Sequence, residues 1–216
     1  MILGSSGHAK VIIDIVEQEG RYGIAGLLDR YRMVGEQTLG YPILGKEADL
    51  SKIASSHQLG GVIVAVGDNH IRSQVVARVK VSCPGLRFVR AVHPRGSIAE
   101  GVDIGEGSVI MAGVVISPGC SIGRFCIVNT NASLDHDSCM DEFSSLGPRA
   151  SVAGTCRIGA YSAIGIGAVM VPDIHVGEHA VIGAGSTVLS NVESFKVAFG
   201  TPARVVRDRK PGDEYM

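Results

Sequence analysis

The aliphatic residues in the second half of the chain recur every six positions, and this period restricts the possible fold more than any other feature. From Ile98 to Val188, every sixth residue is aliphatic, sixteen in succession without an insertion. Four residues after each lies a small or β-branched residue, from Val102 to Val192. Neither an α-helix nor an alternating strand has a period of six. A prism does, because one short strand and one corner take six residues and three hexads close a coil.

The hexads therefore predict a left-handed parallel β-helix over residues 95–192, with about five coils of about 18 residues. We expect the aliphatic side chains to fill the axis and the small residues to point inward between coils. Three of the five cysteines fall in the small-residue column, which predicts that Cys120, Cys126 and Cys156 are core residues.

Residues 1–94 show a different pattern, with strands alternating with helices. A glycine-containing turn at 4–10 leads into apolar residues at helical spacing. Strands are predicted at 23–29, 61–66 and 87–92, and a helix at 70–81. This order predicts a small Rossmann-like α/β domain. Only residues 1–3 remain for its first strand, which leaves open a native start upstream of Met1.

The glycine turn at 4–10 is open to two interpretations. A glycine turn at a helix N-terminus offers unpaired N–H groups to an anion such as a diphosphate. The sequence GSSGHAK lacks the full G-x-G-x-x-G pattern, however, and a tight turn without a ligand explains it equally well.

Composition excludes several classes of protein. With 20 basic and 21 acidic residues the net charge is −1, which argues against binding to nucleic acid or to an anionic membrane. No apolar run reaches the ~20 residues of a membrane helix. An odd number of cysteines without paired spacing favours a reducing cytoplasm. Residues 193–216 form a basic C-terminal tail, interpreted either as a solvated charge run or as a partner for phosphates.

The sequence Asp135-His136-Asp137 is the clearest polar cluster on the predicted prism. His136 is third in its hexad, at a corner, and points outward. A carboxylate beside an imidazole fixes its tautomer and stabilises the imidazolium, as a general base requires. The pattern does not decide which aspartate contacts the ring, and a solvated corner histidine is the alternative. His175 and His179 occupy other hexad positions, which argues against a three-histidine metal site.

A groove suited to a narrow chain is predicted near His136. Gly154 lies one coil further on at the same corner, and a neighbouring corner stacks Pro148, Ile166 and Ala184. An acyl–pantetheine chain fits such a surface, with its phosphates near the basic tail. A nucleophilic role for Cys139 is disfavoured, because no helix N-terminus is present to lower the pKa of its thiol.

These motifs together resemble the bacterial sugar acetyltransferases of the PglD, PerB and NeuD type, which join a Rossmann-like domain to a left-handed β-helix. The resemblance extends over nearly the whole chain. It is carried by the hexads and by GSSGHAK at 4–10, AVGDNHIR at 65–72, NT at 129–130, LDHD at 134–137, SLGP at 145–148 and GTPAR at 200–204.

The resemblance implies acetyl-CoA-dependent N-acetylation of a nucleotide-linked 4-amino-4,6-dideoxy sugar. It also implies a cytoplasmic homotrimer with active sites between neighbouring prisms, and no metal. His136 would be the general base, polarised by Asp137, for direct transfer without an acyl-enzyme. Acetyl-CoA would run past Gly154, Ile166 and Ala184. The nucleotide would lie on the N-terminal domain, at Gly4, Ser6, Gly7, His8, Asp29, Gly67, Asp68 and Asn69.

One departure from the family pattern keeps alternatives open. Several relatives carry a second histidine nine residues after the catalytic one, where this chain has Ser145. The acceptor could therefore be sialic acid or another sugar, acetylated on oxygen. A third hypothesis is a nucleotide-sugar-binding trimer in which the prism is only a scaffold.

Overall fold

The computed structural model describes residues 1–215, which form two compact units, residues 1–94 and the remainder of the chain. The first unit is an α/β domain around a five-stranded sheet in the order β3-β4-β2-β1-β5. Strand β1 pairs in parallel with β2 and β5, and only the β3–β4 pair is antiparallel. Its elements are β1 (Ile2–Leu3), α1 (Gly7–Glu19), β2 (Leu27–Leu28), β3 (Gln37–Thr38), β4 (Tyr41–Gly45), a 3₁₀ turn (Glu47–Asp49), α2 (Leu50–Ser56), β5 (Ile63–Val64), α3 (Asn69–Ser82) and β6 (Ala91–Val92).

The sequence pattern explains the two long helices of this unit. Helix α1 buries one apolar face, which includes Ile12, Ile13 and Val16, and ends at Gly20 with φ of 68°, in the left-handed region that glycine tolerates. Helix α3 begins after Asp68, whose carboxylate accepts a hydrogen bond from the Ile71 amide at 2.7 Å. The predicted helix at 70–81 lies within α3, whereas β4 and α2 were not predicted.

The second unit contains a three-sided parallel β-helix of two-residue strands. Each strand pairs with the strand one coil away, as in the register of Ile116 with Leu134. In chain order, strands β7 to β22 are Ser97–Ile98, Asp103–Ile104, Val109–Ile110, Val115–Ile116, Ser121–Ile122, Ile127–Val128, Ser133–Leu134, Cys139–Met140, Ser145–Leu146, Ser151–Val152, Arg157–Ile158, Ala163–Ile164, Val169–Met170, His175–Val176, Val181–Ile182 and Thr187–Val188. They form three faces, β7-β10-β13-β16-β19-β22, β8-β11-β14-β17-β20 and β9-β12-β15-β18-β21.

The axis of the β-helix is filled as the hexads predict. Side chains of the aliphatic column such as Leu134, Leu146 and Ile158 have no exposed surface. Serines of the small-residue column also lie inside, where they bridge successive coils. The Ser162 hydroxyl donates to the Gly177 carbonyl at 2.6 Å and accepts from the Ala180 amide at 2.8 Å. The interior is therefore apolar along the axis, and this inward hydroxyl is hydrogen-bonded.

The corners share one backbone conformation. The fourth residue of all fifteen hexads from Gly101 to Gly185 has a positive φ, and nine of the fifteen are not glycine. Along one edge, side chains at this position form a stacked ladder whose ring centroids lie 4.5–5.2 Å apart. This ladder was not predicted from the sequence, although four of its five residues are spaced 18 apart. Its members are Phe125, Phe143, Tyr161, His179 and Phe195.

The segment predicted as a basic tail is ordered into a hairpin on the β-helix. Strand β23 (Lys196–Gly200) pairs in parallel with β21, and β24 (Ala203–Asp208) turns back antiparallel to β23. Tyr215 packs against a buried cluster of Ala163, Val181 and Val197. Nowhere in residues 1–215 is a helix long and apolar enough to cross a membrane.

Candidate active site

His136 lies at a corner of the β-helix, and its imidazole is hydrogen-bonded to Asp137. The distance from His136 Nδ1 to Asp137 Oδ2 is 2.9 Å. Asp135 instead accepts from the backbone amide of His136 at 2.8 Å. The difference arises because Asp137 occupies the left-handed corner position, with φ of 57°. With Asp137 as acceptor, Nδ1 carries the proton and the Nε2 lone pair is left to act as a base.

The electrostatics around His136 also favour its protonation after proton transfer. The hydrogen bond that His136 donates to Asp137 and then the charge of Asp135 raise the pKa of His136. The imidazole remains accessible, with 58% of its side-chain surface exposed. This combination, an accessible Nε2 and a stabilised imidazolium, meets the requirements of a general base.

Gly154 lies directly against the imidazole. A Cβ at residue 154 would be 2.5 Å from both Cε1 and Nε2 of His136, so the ring fills the space that a side chain would need. The Thr155 amide donates to the His136 carbonyl at 2.9 Å and fixes the two coils in register. The Gly154 N–H has no hydrogen-bond acceptor within residues 1–215. The residue that packs against the imidazole therefore also carries an unpaired amide.

Ile166 and Ala184, predicted to contact acetyl-CoA, lie on another edge of the same β-helix. The column is confirmed by the amides of Gly167 and Gly185, which bond to the carbonyls of Pro148 and Ile166. Ile166 is 60% exposed. The face of β7, β10, β13, β16, β19 and β22 separates this Ile166 edge (residues 148–149, 166–167 and 184–185) from the His136 edge (residues 136–137 and 154–155). Of the three residues predicted to contact acetyl-CoA, Gly154, Ile166 and Ala184, only Gly154 therefore lies beside His136 of the same chain.

In the first unit, the predicted nucleotide residues meet at the carboxyl ends of β1, β2 and β5. Gly4 follows β1 with φ of 109°, and a Cβ there would lie 2.8 Å from the carbonyl oxygen of Ala65, which follows β5. The Ser5 hydroxyl donates to Asp29, which follows β2, at 2.5 Å. Carboxyl ends of adjacent parallel strands form the ligand crevice of open α/β sheets.

Asp29 is held as a carboxylate in this crevice. Its Oδ1 accepts from the amides of Tyr31 at 2.8 Å and Arg32 at 3.1 Å. Burial opposes ionisation, but the Ser5 hydroxyl and these amides outweigh it and lower the pKa of Asp29. An acidic side chain at this point of a Rossmann-like sheet suits the hydroxyls of a ribose.

The turn before α1 contributes Ser6, Gly7 and His8. Ser6 is the N-cap of α1 without a side-chain capping bond, and Gly7 opens the helix. Burial and then the charge of Arg72 lower the pKa of His8 to about 4. The Nε2 atom of His8 is buried without a hydrogen-bond partner in the described part of the chain.

Gly67, Asp68 and Asn69 form the turn between β5 and α3. Asn69 is 1% exposed, and its side-chain oxygen accepts from Arg72 Nη2 at 2.6 Å. Arg72 was not among the predicted site residues, although it is the last residue of the AVGDNHIR motif. A basic residue three positions into a helix after a glycine turn was the available clue.

Three other residues considered in the sequence, Cys139, His179 and Ser145, lie outside the His136 cluster. Burial raises the pKa of the Cys139 thiol, which makes it a poor nucleophile at neutral pH. His179 stacks within the aromatic ladder, and Ser145 lies in β15 on the face opposite the His136 edge. Residues 1–215 contain no group of three or more His, Cys, Asp or Glu placed to hold a metal ion.

The fold and this site define a class of protein, a hexapeptide-repeat acyltransferase with a Rossmann-like N-terminal domain. Two family profiles match the chain, the PglD N-terminal domain at residues 1–79 and the bacterial transferase hexapeptide at 155–190. UDP-N-acetylbacillosamine N-acetyltransferase from Bacillus subtilis (strain 168) is 31% identical over 117 residues, and that match covers 51% of this chain and 50% of the relative.

Solved structures extend the match to nearly the whole chain. Perosamine N-acetyltransferase from Caulobacter crescentus, a variant in complex with CoA and GDP-perosamine, has a TM-score of 0.90 and 31% identity, covering 96% of each chain. The acetyltransferase domain of PglB from Neisseria gonorrhoeae, in complex with acetyl coenzyme A, has a TM-score of 0.86 and 31% identity, covering 95% of this chain and 97% of that one. The chain belongs to the PglD/PerB-like family of bacterial sugar acetyltransferases. The predicted fold class, a Rossmann-like domain followed by a left-handed β-helix, is confirmed.

Proposed function

We propose that this protein transfers the acetyl group of acetyl-CoA to the amine of a nucleotide-linked 4-amino-4,6-dideoxy sugar. The observation that carries the proposal is the His136 cluster, in which Asp137 holds Nδ1 and the free Nε2 lies against Gly154, whose amide is unpaired within residues 1–215. The relatives that match over almost their full length, or over half of it, act on nucleotide-linked amino sugars or bind CoA. A base and an amide donor at one point are what amide formation from a thioester requires.

The reaction proceeds by direct transfer. The sugar amine attacks the thioester carbonyl carbon, and Nε2 of His136 accepts the proton that the nitrogen loses as the new C–N bond forms. The imidazolium is stabilised by Asp137. When the tetrahedral intermediate collapses, the C–S bond breaks and the imidazolium returns its proton to the departing thiolate, which yields the amide and CoA.

The Gly154 amide is the proposed donor to the oxyanion of that intermediate. It belongs to a rigid corner whose register is fixed by the Thr155–His136 hydrogen bond of 2.9 Å. A backbone donor needs no reorganisation when the charge develops, and one such donor contributes roughly 10²–10³ to kcat in well-studied cases.

The nucleotide is proposed to bind at the crevice of the first unit. Asp29 would accept from ribose hydroxyls, and the turns at Gly4–His8 and Gly67–Asn69 would surround the diphosphate, with Ser6 and Gly7 supplying amides at the start of α1 and Asp68 capping α3. The supporting observations are the Ser5–Asp29 and Gly4–Ala65 contacts, which bring the three strand ends together.

A homotrimer accounts for the separation of His136 from the Ile166 edge. A neighbouring copy can supply Ile166 and Ala184 beside the His136 edge of the first, which gives acetyl-CoA a groove between two β-helices. The face between these edges carries partly exposed apolar side chains, Val115 at 45%, Val169 at 41% and Leu189 at 53%, which suits burial against another copy. The cytoplasm is the proposed location, because acetyl-CoA and nucleotide-activated sugars are made there.

Thiol release from acetyl-CoA tests the proposal. The acceptors are GDP- and UDP-linked 4-amino-4,6-dideoxy sugars beside free sialic acid, with wild type and His136→Asn in parallel. We expect turnover on a nucleotide amino sugar and a loss of about 100-fold or more in kcat/KM for the variant. Turnover on free sialic acid alone would establish O-acetylation instead. Nucleotide-sugar binding without any turnover would establish the scaffold hypothesis.

A further inference from the structure

Arg72 is a fully buried cation beneath the turn that joins β5 to α3. Its side chain is 1% exposed. Nη1 donates to the carbonyls of Val66 at 3.1 Å and Gly67 at 2.9 Å, and Nη2 donates to the Asn69 side chain at 2.6 Å. A buried guanidinium is strongly destabilising unless its donors are satisfied. Here its planar, rigid group holds the Val66 and Gly67 carbonyls and the Asn69 side chain together.

The two carbonyls that Arg72 draws inward determine where the next amides point. In a trans peptide the N–H of a residue points opposite to the carbonyl of the residue before it. Thr201–Pro202 is the only cis peptide within residues 1–215. The N–H groups of Gly67 and Asp68 therefore point away from the guanidinium, and neither has an acceptor in the described part of the chain. Gly67 is exposed, so these amides face outward.

The Asp68 carboxylate does not compete for this position, because it caps α3 through the Ile71 amide at 2.7 Å. Arg72 also lies near His8, whose pKa it lowers together with burial. The outward amides thus lie at the carboxyl end of β5, above a permanent positive charge. Paired backbone N–H groups over such a charge form an anion-binding concavity.

We propose that Arg72 is a positioning residue that orients the Gly67 and Asp68 amides to bind the diphosphate of the nucleotide sugar. This inference rests on the proposed function, since it assigns a role within the same nucleotide site. The guanidinium does not touch the ligand. It acts by holding two carbonyls inward, a geometry that a lysine ammonium, with its single point charge, does not reproduce.

Arg72→Lys tests the proposal in the full chain, with Arg78→Lys on the same helix as the matched control. Arg78 pairs with Glu47 at 2.6 Å and is 54% exposed, and it does not contact the turn. Steady-state kinetics with the nucleotide amino sugar and calorimetry with GDP and UDP give the readouts. We expect Arg72→Lys to raise KM for the nucleotide sugar and Kd for the nucleoside diphosphate about tenfold or more, with KM for acetyl-CoA unchanged. Arg78→Lys should match wild type.

A second pair of variants tests the amides without altering Arg72. A Cβ at Gly67 would have no atom within 4 Å, so Gly67→Ala is tolerated and keeps the N–H, whereas Gly67→Pro removes it. We expect Gly67→Pro to bind GDP or UDP about tenfold more weakly than Gly67→Ala does. Equal binding by the two Gly67 variants, or equal losses for nucleotide and acetyl-CoA in Arg72→Lys, would overturn the inference. Failure of the proposed function is distinguishable, because wild type would then turn over no nucleotide sugar.

Discussion

The imidazole of His136 occupies the space that a side chain at Gly154 would need. A Cβ at residue 154 would lie 2.5 Å from the Cε1 and Nε2 atoms of the ring, well inside van der Waals contact. The two residues are one coil apart on the same edge. The missing side chain therefore determines the ring position as directly as the hydrogen bond to Asp137 does.

Gly154→Ala should displace the His136 imidazole and lower kcat by about 10- to 100-fold, since a 1 Å misplacement of a reacting group can cost that much. The measurement is kcat for thiol release, with a crystal structure of the variant to locate the ring. Gly85→Ala, where a Cβ would meet nothing within 4 Å, is the matched control. Wild-type kcat for Gly154→Ala with a displaced ring would refute the base assignment.

Asp137→Asn should lower kcat/KM and shift the acidic limb of the pH profile of kcat/KM to lower pH. Asp137 raises the pKa of His136, so in wild type the free base is lost as the pH falls through a value above the usual imidazole pKa. Without the carboxylate the imidazole stays unprotonated to lower pH, but it is a weaker base. The loss should be about 10- to 100-fold at the pH optimum.

The control for Asp137→Asn is Asp141→Asn, which removes a carboxylate that is paired with Arg157 at 3.0 Å on a neighbouring face. Its pH profile should coincide with that of wild type. An unchanged acidic limb in Asp137→Asn would mean that His136 does not govern the profile.

Ser162→Ala should destabilise the β-helix by about 1–3 kcal/mol, because it leaves the buried Ala180 amide without its partner. The hydroxyl accepts from that amide at 2.8 Å and donates to the Gly177 carbonyl at 2.6 Å. Chemical denaturation measures the free energy of unfolding. Ser190→Ala, at an exposed position, should change it by less than about 0.5 kcal/mol. Equal effects of the two variants would show that the inward hydroxyl does not stabilise the coil.

His8 should make the stability of the protein fall between about pH 6.5 and pH 4. Its pKa in the folded state is about 4, against 6.5 as the ordinary value, so the unfolded chain binds a proton first as the pH falls. The contribution of neutral His8 to the free energy of unfolding is fully present above about pH 6.5. Up to about 3 kcal/mol of that contribution is lost by pH 4. His8→Gln should remove this component, seen as a smaller difference in unfolding free energy between pH 7 and pH 4.5. A pH dependence identical to that of wild type would contradict the buried, neutral state of His8.

The hexad pattern alone is enough to predict the architecture of the β-helix. The six-residue period from Ile98 to Val188 restricts the fold of this segment to a three-sided coil, because such a coil buries every sixth side chain on one axis. It also fixed the corner position of His136 and placed Gly154 beside it, since residues 18 apart must stack. The irregular part of the first unit, such as β4 and α2, lacks any such period and was missed.

Which side chains contact one another depends on the folded chain. Asp137 rather than Asp135 contacts the imidazole because the fourth residue of each hexad takes a positive φ, which the residue types alone do not disclose. Separation of Ile166 from His136 follows from their being 30 residues apart, a number that is not a multiple of the coil length. The role of Arg72 depends on which carbonyls its guanidinium reaches, and only the folded turn brings them within hydrogen-bond distance.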